Sequence, residues 1–175
     1  MPVRVPAGTP ITPRMKAPAD QLLGVPYFGQ EQTNWCWAGC SEMIYHYYGI
    51  TNIKQCDMAA DQFGANCCAN PGSSVCNQPN WPENTLNKVG ISSVRINGAY
   101  NAFSLQSEIK AGRPLMSYYA WTGGGAHVAV IRGYYGNGDL DVHDPAYGPG
   151  RRTYNNVLNG YGMGTWAMTY HSIRR

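Results

Sequence analysis

Three short stretches carry residue types that do chemistry. The first is Gln30-Glu31-Gln32-Thr33-Asn34-Trp35-Cys36-Trp37-Ala38. A nucleophilic cysteine needs a lowered thiol pKa, and a helix N-terminus supplies positive potential. Trp37, Cys40, Ile44 and Tyr47/Tyr48 mark an apolar helical stripe. Asn34 is a candidate N-cap and Gly49 a left-handed stop. Cys36 then falls in the first turn. Gln30, on the loop leading in, can curl back and offer an amide N–H to an oxyanion. The plainer alternative is that Cys36 is a buried or disulfide-bonded thiol.

The second stretch is Gly123-Gly124-Gly125-Ala126-His127-Val128-Ala129. Glycines allow a substrate backbone to come close. A histidine at the start of the following strand can act as base to a thiol. The third is Asp141-Val142-His143-Asp144-Pro145. A carboxylate there can hold the imidazole tautomer. A two-residue Asn137-Gly138 turn would leave Asp144 about 13 Å from the histidine. A four-residue loop or a bulge brings the two together on one face. Asp141 is expected farther along that face and His143 on the other, so Asp144 is preferred.

The elements that must position these residues follow from period and punctuation. A second helix is expected over 104–111, stopped by Gly112 and Pro114. Strands are expected over 115–121, 126–135 and 139–143, with 165–170 closing the sheet. Residues 51–82 read as loop, with four cysteines and three prolines. Helices followed by antiparallel strands make an α+β pattern.

The chain has 175 residues, enough for one domain with a core. Residues 1–22 are Pro-rich and aperiodic and read as a flexible arm, with 23–175 as the domain. Charged residues make up 13% and the net charge is +3 without a basic cluster, which excludes disorder and argues against nucleic acid. No apolar run approaches the ~20 residues of a membrane span. No Sec-type signal peptide is legible.

Together, Gln30 with Cys36-Trp37-Ala38, the glycines before His127 and Asp144-Pro145 resemble papain-like cysteine proteases. Compact bacterial members, including effector proteases and double-glycine leader peptidases, are the nearest in plan. Val25-Pro26-Tyr27-Phe28-Gly29-Gln30 is similar to their entry segment, and Gly112-Arg113-Pro114-Leu115 to their link into the sheet. The resemblance implies a helical half bearing nucleophile Cys36, packed on an antiparallel sheet bearing base His127 and orienting Asp144. Gln30 would be the oxyanion amide, and Trp37 a packing residue. Trp35, Gly124 and Gly125 would border the substrate. The chain departs from plant papain before the nucleophile, where Asn34-Trp35 replaces Gly-Ser. It also lacks the Trp-rich motif after the orienting residue.

The resemblance implies a protein or peptide substrate and no cofactor or metal. An immunity or inhibitor protein is a candidate partner of a monomer that is secreted or delivered into another cell. Two other classes compete: a transglutaminase-like acyltransferase or deamidase, and a non-enzymatic binding module. Of the other cysteines, Cys40 reads as a buried thiol. Cys56, Cys67, Cys68 and Cys76 lack the CxxC pairs of a zinc site and read as disulfides. Adjacent Cys67 and Cys68 do not pair with each other. This leaves Cys56–Cys67 with Cys68–Cys76, or Cys56–Cys68 with Cys67–Cys76.

Overall fold

A computed structural model describes residues 18–175. The elements in order are β1 (Gln21–Leu22), α1 (Cys36–Tyr47), α2 (Gln55–Phe63), α3 (Pro82–Lys88), β2 (Ser92–Asn97), α4 (Ala102–Lys110), β3 (Leu115–Trp121), β4 (Ala126–Tyr134), β5 (Leu140–Asp144), β6 (Gly148–Arg152), α5 (Tyr154–Leu158), a 3₁₀ turn (Gly160–Gly162) and β7 (Gly164–Arg174). One antiparallel sheet runs β2-β7-β3-β4-β5-β6, and β1 adds to β4 beyond the start of β3. This is the expected α+β arrangement of helices on one antiparallel sheet. No helix among the described residues is long and apolar enough to cross a membrane.

α1 is buried through every position from Trp37 to Tyr45, as expected for a helix enclosed between a sheet and other helices. Its buried polar groups are paired. Ser41 Oγ donates to Trp37 O at 2.7 Å, and Glu42 accepts from Gln55 Nε2 at 2.9 Å. Gly39 lets β5 approach: a Cβ there would meet Pro145 Cβ at 3.0 Å. Pro145 O in turn accepts from Gln30 N at 2.9 Å. Entry loop, α1 and strand end therefore meet at one point.

Several expectations are corrected. Asn34 does not cap α1; Trp35 holds that position without a side-chain bond. Asn34 instead pairs with Asn77, N to Oδ1 at 2.9 Å and Nδ2 to O at 2.9 Å. Residues 51–82 contain α2 and the start of α3, not only loop. Asp57 caps α2 by accepting from Lys54 N, and Pro82 opens α3 at a position where its missing N–H is harmless. β7 lies inside the sheet, between β2 and β3, rather than closing its edge. β6, with Gly148-Pro149-Gly150, is an edge strand, where proline is tolerated. Of the N-terminal arm, residues 1–17 lie outside the described residues. Residues 18–22 are held on the domain, with β1 on β4 and Gly136 N donating to Asp20 Oδ1 at 2.6 Å.

The disulfides are Cys56–Cys68 and Cys67–Cys76. Cys40 is free and buried, its thiol donating to Val128 O at 3.3 Å. The Cys67–Cys76 loop supports the segment around Cys36: Cys76 O accepts from Trp35 Nε1 at 2.8 Å, and Gln78 O from Trp37 Nε1 at 3.0 Å. Replacing Cys67 and Cys76 with Ser should lower unfolding stability by roughly 2–3 kcal/mol in urea titrations. Equal stability of the variant and the oxidised parent would remove the loop's structural role.

Candidate active site

Cys36 is the first residue of α1, so its N–H and those of the next two residues have no intrahelical acceptor. It is partly exposed and lines a cavity of about 270 Å³ opposite His127. His127 sits second in β4, 6% exposed, and its Nε2 lies 2.8 Å from Asp144 Oδ1. Nδ1 is thus the ring nitrogen left to face the thiol. Burial disfavours the imidazolium. Hydrogen bonds to Asp144 and Cys36, with their charges, outweigh it and raise the His127 pKa to about 9.

Neither simple hairpin register delivers Asp144. Val130 pairs with His143 and Ile131 with Val142, and then a bulge at Arg132 shifts the register so that Gly133 pairs with Asp141. The bulge leaves Asp144 diagonal to His127 on the same face, within reach of its ring. Asp141 is corrected to the opposite face. There it binds Arg132 Nε at 2.6 Å and Tyr135 Oη at 2.7 Å, and lies 3.7 Å from His143 Nε2. The reason is parity, since it stands three positions, an odd number, from Asp144.

Asp144 is wholly buried. Its Oδ1 also accepts from Ala146 N and Tyr147 N, each at 2.9 Å, and its Oδ2 from Tyr161 Oη at 2.8 Å. Burial opposes its charge, but the His127 bond and charge and the two backbone donors prevail and hold its pKa below the ordinary value. Trp121 stacks against His127 at 5.6 Å and Tyr147 stands edge-on at 5.7 Å. Across the cavity, Trp81 stacks on Tyr118 at 5.4 Å, with the Arg95 guanidinium 4.5 Å from its ring centre.

Other site expectations fare differently. Trp35 is fully buried with its indole on Cys76 O, so it cannot touch substrate; Trp81, 41% exposed on the cavity wall, is the accessible indole. Gly124 and Gly125 form the β3–β4 turn at φ +94° and +85°, where left-handed backbone requires glycine, and neither lines the cavity. Gln30 Nε2 donates to Gln32 O and Thr33 O, each at 2.9 Å, so both amide protons are engaged within the loop. Its Oε1 is buried without a partner. Cys56, Asp57 and Cys68 cluster, but both sulfurs are spent in a disulfide.

The family model of the papain-like cysteine protease AvrRpt2 matches residues 20–161. The chain is a papain-like cysteine protease of this family. The match decides for a peptidase over the acyltransferase, deamidase and binding-module readings. The protease's fold is similar to that of a C39-like peptidase described from Bacillus anthracis, with a TM-score of 0.61 and 14% identity over 90% of this chain and 99% of that one. It is also similar to a double glycine motif protease from an AMS/PCAT transporter, solved with a leader peptide. There the TM-score is 0.54 and the identity 17%, over 86% of this chain and 94% of that one. No curated protein matches the sequence.

Tyr161, Tyr119 and Trp81 escaped the sequence reading. Trp81 lies in the 51–82 stretch that reads as loop, and Tyr161 stands between two glycines, with no residue pattern pointing either to the site. The pKa shifts of the protease's buried pair predict a pH dependence. A raised His127 pKa contributes stability that is complete below the ordinary 6.5 and lost as pH rises towards about 9. The melting temperature should therefore fall between pH 6.5 and 9, and Asp144→Asn should flatten that slope. An identical slope in the variant would show that the pair does not set it.

Proposed function

We propose that this protease cleaves peptide bonds of protein or peptide substrates through Cys36, His127 and Asp144. The observation that carries the reading is that Cys36, first residue of α1, shares one cavity with His127, whose Nε2 bonds a buried carboxylate. His127 takes the Cys36 proton, giving a thiolate–imidazolium pair. The thiolate attacks the substrate carbonyl carbon, and the C–O π electrons move to oxygen. The N–H of Cys36 receives that oxyanion. Gln30 joins it by exchanging one loop carbonyl for the substrate oxygen. The tetrahedral centre collapses as His127 protonates the leaving amine. Water, deprotonated by His127, then hydrolyses the thioester and restores the thiol.

Trp81, Tyr118, Pro79 and Val128 give the cleft apolar walls for side chains next to the scissile bond. Secretion or delivery into another cell is supported by the two disulfides, which persist in oxidising surroundings.

Cys36→Ala and His127→Ala should each lower kcat by at least about 10³ on a casein-type substrate, read as new amino termini. An epoxide thiol inhibitor should label Cys36 and not Cys40. Persistent cleavage by Cys36→Ala, or labelling elsewhere, would reject the assignment.

A further inference from the structure

We propose that Tyr161 is a positioning residue for this machinery: its hydroxyl donates to the second oxygen of Asp144 and is itself held by Tyr119. The inference rests on the assignment of Cys36, His127 and Asp144.

The first observation is backbone. Gly160, Tyr161 and Gly162 have φ of +55°, +60° and +83°, three left-handed residues in a row. Glycine takes this region freely, whereas a tyrosine is strained in it. Asn159 closes the turn, its Oδ1 accepting from Gly162 N at 2.9 Å. A turn of this shape has no need of a large side chain at its centre, so the tyrosine is there for what its ring reaches.

The second observation is where the hydroxyl lies. It is 2.8 Å from Asp144 Oδ2 and 3.1 Å from Tyr119 Oη, while Ser117 Oγ lies 2.7 Å from Tyr119 Oη. An ionised carboxylate only accepts, which fixes the direction of the chain. Tyr161 donates to Asp144, Tyr119 to Tyr161 and Ser117 to Tyr119. Oδ1 already has three donors, one being His127. Among the described residues, Tyr161 is the donor that Oδ2 has. The Arg152 guanidinium lies 4.5 Å over the Tyr161 ring and pins it from the outer side.

Losing that donor leaves one oxygen of a buried charge unpaired, which favours protonation of Asp144. A protonated Asp144 no longer stabilises the imidazolium. The titratable groups facing the pair are His127 from β4, Tyr119 from β3, Arg152 from β6, Cys36 and Cys40 from α1, and Tyr27 from the entry segment. Burial pushes the Cys40 thiol and the Tyr27 and Tyr119 phenols up, so they stay neutral over the working range.

The test is the pH profile of Tyr161→Phe, which keeps the ring and removes the proton. We expect kcat to fall about tenfold or more with KM changed less than about twofold. The acid limb of kcat/KM should move up by about half a unit or more. An unmoved acid limb in the folded variant, whatever its activity, overturns the proposal. Should Tyr161→Phe not fold, Tyr119→Phe carries the test, with a smaller shift in the same direction expected and none overturning it. Cys36→Ala is run alongside. Cleavage surviving there rejects the underlying assignment, whereas a fixed limb with Cys36→Ala inactive rejects the role of Tyr161 alone.

Discussion

A carboxylate removed from water keeps its charge only if protons are brought to it from several directions. Asp144 has no exposed surface, and four donors converge on it: the His127 ring, two amides of the β5–β6 turn and the Tyr161 hydroxyl. They come from three separate parts of the chain, so satisfying this one group constrains much of the sheet. The bulge at Arg132 sets the diagonal to His127. Gly39 leaves room for Pro145, which brings the strand end against α1. The buried charge is weak evidence for stability; what it ties together is geometry, since four donors must reach it at once.

The Cys36 side is built differently. Asn34, Trp35 and Trp37 all hang from residues 76–78, immediately after a disulfide loop. That loop offers little apolar surface, so cross-links supply the order that burial supplies elsewhere. Aromatic side chains serve both halves. Trp35 and Trp37 fill the core with their indole N–H groups satisfied, while Trp121 and Tyr147 shield the imidazole from water.

What the sequence made legible was local. Cys36 before an apolar stripe, His127 after glycines, and Gly112 with Pro114 at the end of α4 are signals confined to a few residues, and each lies close to its expected place. What escaped was set at a distance. The Asp144 register depends on a bulge that no residue type announces. Trp35 resembles a substrate contact until the 67–78 segment covers it. The disulfide pairing follows from how α2 lies against its loop. Asn34 stands one residue before the cap position, which Trp35 takes, and its backbone and side-chain N–H groups are drawn to Asn77 instead. Tyr161 sits where only glycine is expected, and such a conflict between local preference and position marks a functional constraint.

The place of β7 also governs time. Cys36, His127 and Asp144 are all synthesised before Gly164, yet β3 keeps an open edge until β7 lies beside it and joins it to β2. Paired residues of β2 and β7 are 71 to 82 positions apart, from Asn97–Met168 to Ser92–Arg174, and pairing so distant in sequence forms slowly. A ribosome-bound chain therefore carries Cys36 beside an unfinished sheet. The interval between making Cys36 and completing the sheet that faces it is built into the strand order.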